Sequence, residues 1–315
     1  MADRIPILFV AGTGRTGSTL VGNLLATTPG VLSIGEVRHI WTRGVVENWA
    51  CGCGQRFADC PFWTAVLREA FGGAQHLDLP SLLASERRLL RFRAGRRVLR
   101  SVRRPTRLQQ EFAYYLATLE RLYGVIAAVS GAEAIVDTSK TPSYAALLSL
   151  LDVADLRILH LIRDPRAAAY SWLNPKPSPD RRGAGEMDRI NPAKSALLWS
   201  WWNAIAEGLA AARPEVPVTR VRYEALSRDP ETTLRTIRRQ LLPELAEKSM
   251  AVTGHIGRLP ISHTLSGNPD RMQSGSVEIR LDERWRKGLA LRHQVQVLAI
   301  AGPGMLRYGY WRSQG

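Results

Sequence analysis

The segment that most restricts how this chain can fold is PILFVAGTGRTGSTLVGNLLATTPG, near the N-terminus. It opens with an apolar run rich in β-formers, turns through glycines, and continues with Leu20, Leu24 and Leu25 at helical spacing. The order is strand, loop, helix. Four residues separate Gly12 from Gly17, so the amides of residues 14–19 (Gly14, Arg15, Thr16, Gly17, Ser18 and Thr19) can converge on an anion at the helix N-terminus. A nucleotide triphosphatase carries Lys after the second glycine to reach the β and γ phosphates, but here Ser18 and Thr19 stand in that place. Arg15 lies inside the loop instead, and its guanidinium suits two oxygens of a transferring or leaving group.

Further runs extend the pattern. AEAIVD (132–137) and LRILHLIRD (156–164) read as buried parallel strands, and VPVTRVRY (216–223) reads as another before a helical stretch from Pro230. Strands alternating with helices predict an α/β fold, a P-loop-type doubly wound parallel sheet flanked by helices. Roughly 100 residues separate the first two of these strands, far more than one crossover needs. A helical insertion over roughly 40–130, inside a single domain spanning 1–315, accounts for them.

That insertion holds ERRLLRFRAGRRVLRSVRRPTR (86–107), with ten arginines against one glutamate. It reads either as a solvated helical face or as a basic lid over an acidic substrate or an anionic membrane surface. Over the whole chain 43 Lys and Arg face 28 Asp and Glu, a formal charge of +15. Such a surface attracts polyanions, and charge alone does not choose among nucleic acid, anionic lipid and a highly charged small ligand. Hydrophobic residues at 45% exclude a disordered chain. The run Ile5 to Ala11 is too short for a signal-peptide core, and no stretch approaches the roughly 20 apolar residues that cross a bilayer. A cytoplasmic protein is expected, and three cysteines within ten residues (Cys51, Cys53 and Cys60) fit a reducing compartment.

A second constellation appears in LIRDPRAAAYSWL, where a strand ends at Arg163 and Ser171 follows on a helix entered through Pro165. Both belong at the carboxyl edge of the sheet, where open α/β sheets bind ligands. An Arg and a hydroxyl beside the first loop make a second phosphate position.

Taken together, these residues resemble the sulfotransferases that use 3′-phosphoadenosine 5′-phosphosulfate, in their Golgi-like and bacterial branch. GTGRTGSTL resembles that branch's 5′-phosphosulfate loop, and RDPRAAAYS (163–171) its 3′-phosphate motif. VDTSKTPSY (136–144) is similar to the lysine motif, and VRYEALSRDP (221–230) to the Tyr-Glu segment that follows the fourth strand. HTLSGNPDRMQSGSVEIRLDERW (263–285) resembles a loop that closes over the adenosine and 3′-phosphate. The resemblance therefore implies cofactor contacts from Arg15 and its loop, Arg163, Ser171, Tyr223, Gly267, Asn268 and Arg271. CGCG (51–54) and DCPFW (59–63) match no part of that machinery.

For a sulfuryl transfer, charge grows on the oxygen leaving with 3′,5′-adenosine bisphosphate, and the loop amides, Arg15 and Lys140 would meet it. Glu36 is the candidate general base, at a spacing from Arg15 similar to the catalytic Glu of the tyrosyl enzymes that the chain resembles. Partial burial is expected to raise its pKa toward usefulness. His39, three residues on, is the rival base. His160 reads as a core histidine, and the Trp199, Trp201 and Trp202 cluster either stacks on an acceptor ring or packs in the core. The scheme needs no metal. A zinc held by the three cysteines, with His39 or His76 as fourth ligand, is the lesser reading of that cluster. The expected partner is a small-molecule, lipid or glycan acceptor bearing a hydroxyl, with contact to an anionic membrane surface and none to nucleic acid. Rival readings are a nucleotide kinase or NTPase, with Asp137 as a magnesium-binding strand end, and a basic nucleic-acid-binding protein.

Overall fold

The computed structural model describes residues 4–90, 95, 102, 105–174, 176–178 and 185–311. Its centre is a five-stranded, all-parallel sheet of β1 (Ile5–Ala11), β2 (Val31–Gly35), β3 (Ala134–Lys140), β4 (Ala154–Ile162) and β5 (Val218–Arg222), in the order β2-β3-β1-β4-β5. Successive residues of β1 point to opposite faces. Ile7 and Phe9 enter one apolar cluster and Leu8 and Val10 the other, so both faces are covered. The expected doubly wound α/β fold is what the chain adopts.

Helix α1 (Ser18–Leu25) returns from β1 and packs Val21, Leu24 and Leu25 on the face that Leu8 and Val10 supply. Between β2 and β3 run α2 (Pro61–Phe71), α3 (Leu79–Leu90), α4 (Pro105–Glu111) and α5 (Ala113–Ser130). Trp63 of α2 and Leu119, Leu122 and Tyr123 of α5 cover the opposite face. β2 is a strand that the sequence pattern does not announce. Its five residues, VLSIG, carry too little periodicity to separate from the loop before Glu36. The helical segment therefore follows the second strand of the chain, not the first. Most of the arginine run at 86–107 lies outside the described residues, as do Arg96, Arg97, Arg103 and Arg104.

Beyond β3 come α6 (Pro142–Leu148), α7 (Pro165–Leu173) and α8 (Pro192–Ala212). Pro at each first position presets the helical backbone, and the Asp164 carboxylate caps α7 by accepting from the Arg166 amide at 2.8 Å. A small antiparallel sheet of β6 (Val252–Thr253), β7 (Ile256–Leu259) and β8 (Gly275–Glu278) closes the C-terminal side. The chain crosses from β3 to β4 over β1, which makes the carboxyl end of β1 the topological switch point. Among the described residues no helix is long and apolar enough to cross a membrane.

Candidate active site

The loop after β1 is shaped by glycines that no other residue could replace cheaply. At Gly17, which caps α1 at φ 88°, an added Cβ would lie 2.5 Å from the Tyr223 ring, and at Gly14 one would lie 2.5 Å from Trp172. Among the described residues no side chain caps the first amides of α1, and free amides at a helix N-terminus suit an anion. Arg15 takes a left-handed backbone at φ 68°, as does Lys140 at φ 66° where β3 ends. Such conformations cost roughly 1–3 kcal/mol each in non-glycine residues and concentrate at functional sites.

A cavity of about 820 Å³ opens at this edge. Gly14, Arg15, Gly17, Ser18, Thr19, Glu36, Lys140, Arg163, Ser171, Tyr223, Gly267 and Asn268 all line it, which brings the glycine loop and the Arg163–Ser171 segment, separate in the sequence, to one cavity. Two expected contacts are not among them. Thr16 is buried and donates its hydroxyl to the Thr13 carbonyl at 2.9 Å. Arg271 is buried beneath the C-terminal loop, donating to the carbonyls of Ala50 at 2.6 Å and Thr264 at 3.2 Å. Its guanidinium fastens the loop instead of reaching into the cavity.

The two arginines are held side by side. Arg163 stacks on Tyr223 at 4.4 Å and donates to the Arg15 main-chain oxygen at 3.0 Å, while Arg15 stacks on Trp172 at 4.5 Å. Arg15 Nε and Nη2 and Arg163 Nε are buried with no hydrogen-bond partner among the described residues. Buried donors left unpaired are costly, and an anion in the cavity would satisfy them. The described cavity wall carries eight Lys or Arg side chains against five carboxylates, so its balance also favours a multiply charged anion.

Glu36 follows β2 directly. Its amide donates to the Leu265 carbonyl at 2.7 Å, and its carboxylate pairs with Lys140 and, at 3.3 Å, with Arg38. Burial pushes the carboxyl pKa up, but Lys140, Arg38 and Arg43 outweigh it and bring the value to about 2. Opposite charges close to a carboxylate favour its charged form, and here three cations act together against one burial penalty. The expectation that burial would raise this pKa is thus reversed. Burial lowers the pKa of Lys140, and Glu36 opposes the fall.

His39 does not line the cavity. Its Nδ1 lies 3.1 Å from Glu86, and its Nε2, which has no hydrogen-bond partner among the described residues, lies 4.0 Å from Glu36 behind the carboxylate. Burial holds the imidazole neutral, well below its ordinary pKa, and raises Glu86 to about 7. His160 is a core residue as expected, bonded to Asn203 at 2.8 Å, and burial lowers its pKa to about 4. Trp199 is core and donates to the Arg163 carbonyl, whereas Trp202 lines the cavity. Asp137 is fully buried between the Tyr123 hydroxyl and the Ser139 amide, away from any position where it would hold magnesium in the cavity.

Sequence reasoning missed Trp172, Asp282 and Glu86. Trp172 adjoins the predicted Ser171, so a helical projection of α7 would have found it. Asp282, which pairs with Arg163 at 3.3 Å, and Glu86, on α3, are separated from their partners by 119 and 47 residues and left no local signal.

Comparison with known proteins gives one family, the Sulfotransferase family, whose model matches residues 6–246. Among solved structures the chain is similar to the sulfotransferase domain from the curacin biosynthetic pathway, at 17% identity and a TM-score of 0.48, over 96% of this chain and 98% of that one. It is also similar to a sulfotransferase from Alicyclobacillus acidocaldarius, at 13% identity and a TM-score of 0.38, over 96% and 97% of the two chains. No curated protein matches.

Proposed function

From the premise that the chain belongs to the sulfotransferase family, we propose that it moves a sulfuryl group from 3′-phosphoadenosine 5′-phosphosulfate to a hydroxyl of a small-molecule, lipid or glycan acceptor in the cytoplasm, with Glu36 as general base. One observation carries the reading. Arg15 and Arg163 come from the ends of two strands, bond to each other, and keep unpaired buried guanidinium nitrogens in the cavity that Glu36 and Lys140 also line.

The donor fits that arrangement as a dianionic 5′ end and a separate 3′-phosphate. The amides of residues 14–19 and Arg15 would hold the 5′ end, and Arg163 and Ser171 the 3′-phosphate. When the acceptor oxygen bonds to sulfur, the bond from sulfur to the bridging oxygen breaks and its electron pair stays with the bisphosphate. Lys140 and the loop amides stabilise that oxygen, and Glu36 takes the acceptor proton. Lys140 therefore serves two partners. Drawn toward the charge on the leaving oxygen, it releases its hold on Glu36, whose affinity for a proton then rises. The neutral His39 imidazole stands between Glu36 and Glu86, 4.0 Å from the first and 3.1 Å from the second. Trp49, Leu198 and Trp202 bound the space left for the acceptor.

Calorimetric titration tests this reading. Micromolar, metal-free binding of 3′,5′-adenosine bisphosphate, with no tight binding of magnesium and ATP, is expected. Tight binding of magnesium and ATP without bisphosphate binding would replace the reading with a kinase.

A further inference from the structure

The two cysteine elements that the cofactor machinery leaves unused meet at one point. Cys51 and Cys60 are buried, Cys53 is half-buried, and the imidazole that joins them is His263, from the C-terminal loop. Neither His39, which pairs with Glu86, nor His76 belongs to the group. The Cys51 and Cys60 sulfurs lie 3.5 Å apart and those of Cys53 and Cys60 3.8 Å apart. His263 Nδ1 is 3.3 Å from Cys60 and 3.8 Å from Cys51, and all four donor atoms fall within 4.8 Å of one another. A tetrahedron with zinc–sulfur and zinc–nitrogen bonds of ordinary length has edges of about 3.8 Å between sulfurs and about 3.6 Å between sulfur and nitrogen. The spacing is that of a coordination shell.

The backbone is arranged around the same point. Cys51 and Gly54 form a tight turn, with the Gly54 amide donating to the Cys51 carbonyl at 2.9 Å. At Gly52 an added Cβ would lie 2.5 Å from Thr264 Oγ1, so only glycine admits the His263 segment this closely. The His263 ring stacks on Phe62 at 4.9 Å, and its carbonyl accepts from Trp63 Nε1 at 2.9 Å. Both aromatics follow Cys60 at the start of α2, so the ring is oriented independently of the cluster it faces.

We propose that Cys51, Cys53, Cys60 and His263 bind one zinc ion in a closed structural site. The sulfurs bind as thiolates and the imidazole binds through Nδ1, so any thiol still protonated gives up its proton on uptake. Four protein ligands leave no open position for catalysis. The ion fastens the loop of residues 262–268 to the start of α2. From that loop the Leu265 carbonyl accepts from the Glu36 amide, and Gly267 lies so near that an added Cβ would be 3.0 Å from the Glu36 carboxylate. The metal thus holds one wall of the active cavity.

Metal analysis of the full chain, purified without a polyhistidine tag, tests the assignment. About one zinc per chain is expected in the wild type and in His76→Ala, falling about tenfold or more in Cys60→Ser and His263→Ala. Should those variants fail to fold, the wild type decides. Exchange of its metal for cobalt(II) should give the visible bands of a tetrahedral thiolate site, and chelation should lower its melting temperature. Folded wild type that holds under about a tenth of a zinc per chain and takes up none when reduced and supplied with it would overturn the proposal. A Cys51–Cys60 disulfide in protein purified under reducing conditions, or zinc retained in both ligand variants, would do the same.

Discussion

Arg163 donates through Nη1 to the main-chain oxygen of Arg15 at 3.0 Å, so the residue that follows β4 and the loop that follows β1 hold one another in register at the carboxyl edge. Replacing Arg163 by Ala removes a guanidinium that lines the cavity and that the proposed reading gives to the 3′-phosphate. Charge-assisted hydrogen bonds contribute about 1.5–3 kcal/mol, so affinity for 3′,5′-adenosine bisphosphate should fall roughly 10- to 100-fold. Calorimetry reads this directly, and an unchanged dissociation constant would remove Arg163 from the site.

Glu36→Gln keeps the shape of the side chain and loses its basicity. Turnover should fall by about 10²- to 10⁴-fold, while bisphosphate affinity stays within a few-fold. Because Glu36 has a pKa of about 2 in the free protein, its ionisation also has a defined sign in stability. Its contribution is fully present above the unfolded carboxyl value and is lost as pH falls toward 2. In the variant, denaturation midpoints between pH 5 and pH 2 should therefore fall less steeply than in the wild type.

Much of this site can be read from the chain. Strand, glycine turn and helix around Gly12 to Leu25 announce themselves because hydrophobic period and turn chemistry agree over a short span. Arg163 and Ser171 follow from the same logic around Pro165. What remained hidden depends on contacts between distant residues. Nothing near Arg271 shows that it points at the Ala50 and Thr264 carbonyls, and nothing near Cys51 names His263, more than 200 residues away. The nearer histidines, His39 and His76, were the natural candidates for that reason. The low pKa of Glu36 leaves no local signal, because burial follows from neighbours in sequence whereas Lys140, its chief cation, arrives from β3.

Arg271→Met separates fastening from ligand contact. Breaking hydrogen bonds from a buried arginine to two carbonyls should destabilise the protein by about 2–5 kcal/mol. The folded fraction should bind the bisphosphate as the wild type does. A selective loss of binding at unchanged melting temperature would return Arg271 to the cofactor contacts.

Gly17→Ala introduces a methyl against the Tyr223 ring at a left-handed position. About 1–3 kcal/mol of stability should be lost, together with bisphosphate binding, because the loop must move to admit the methyl. Thermal melts and titration of the same preparation check both. Normal binding would mean that the cradle lies elsewhere.

His160 gives the clearest dependence on pH. Burial lowers its pKa to about 4, so the unfolded chain takes up this proton first. Its contribution is complete above about pH 6.5 and declines as pH falls through the folded value, by about 3 kcal/mol at most. Glu86 and Asp137, raised by burial to about 7 and about 6, act in the opposite sense. The slope is therefore read as the difference between wild type and His160→Gln in denaturant titrations from pH 7 to pH 4. Parallel curves would refute it.

The most direct test is a crystal structure of the protein with 3′,5′-adenosine bisphosphate. The account predicts the 5′-phosphate on the amides of residues 14–19 and Arg15, within reach of Lys140, and the 3′-phosphate on Arg163 and Ser171. A bisphosphate bound outside this cavity, or one whose 3′-phosphate rests on Arg38 and Arg43, would contradict it.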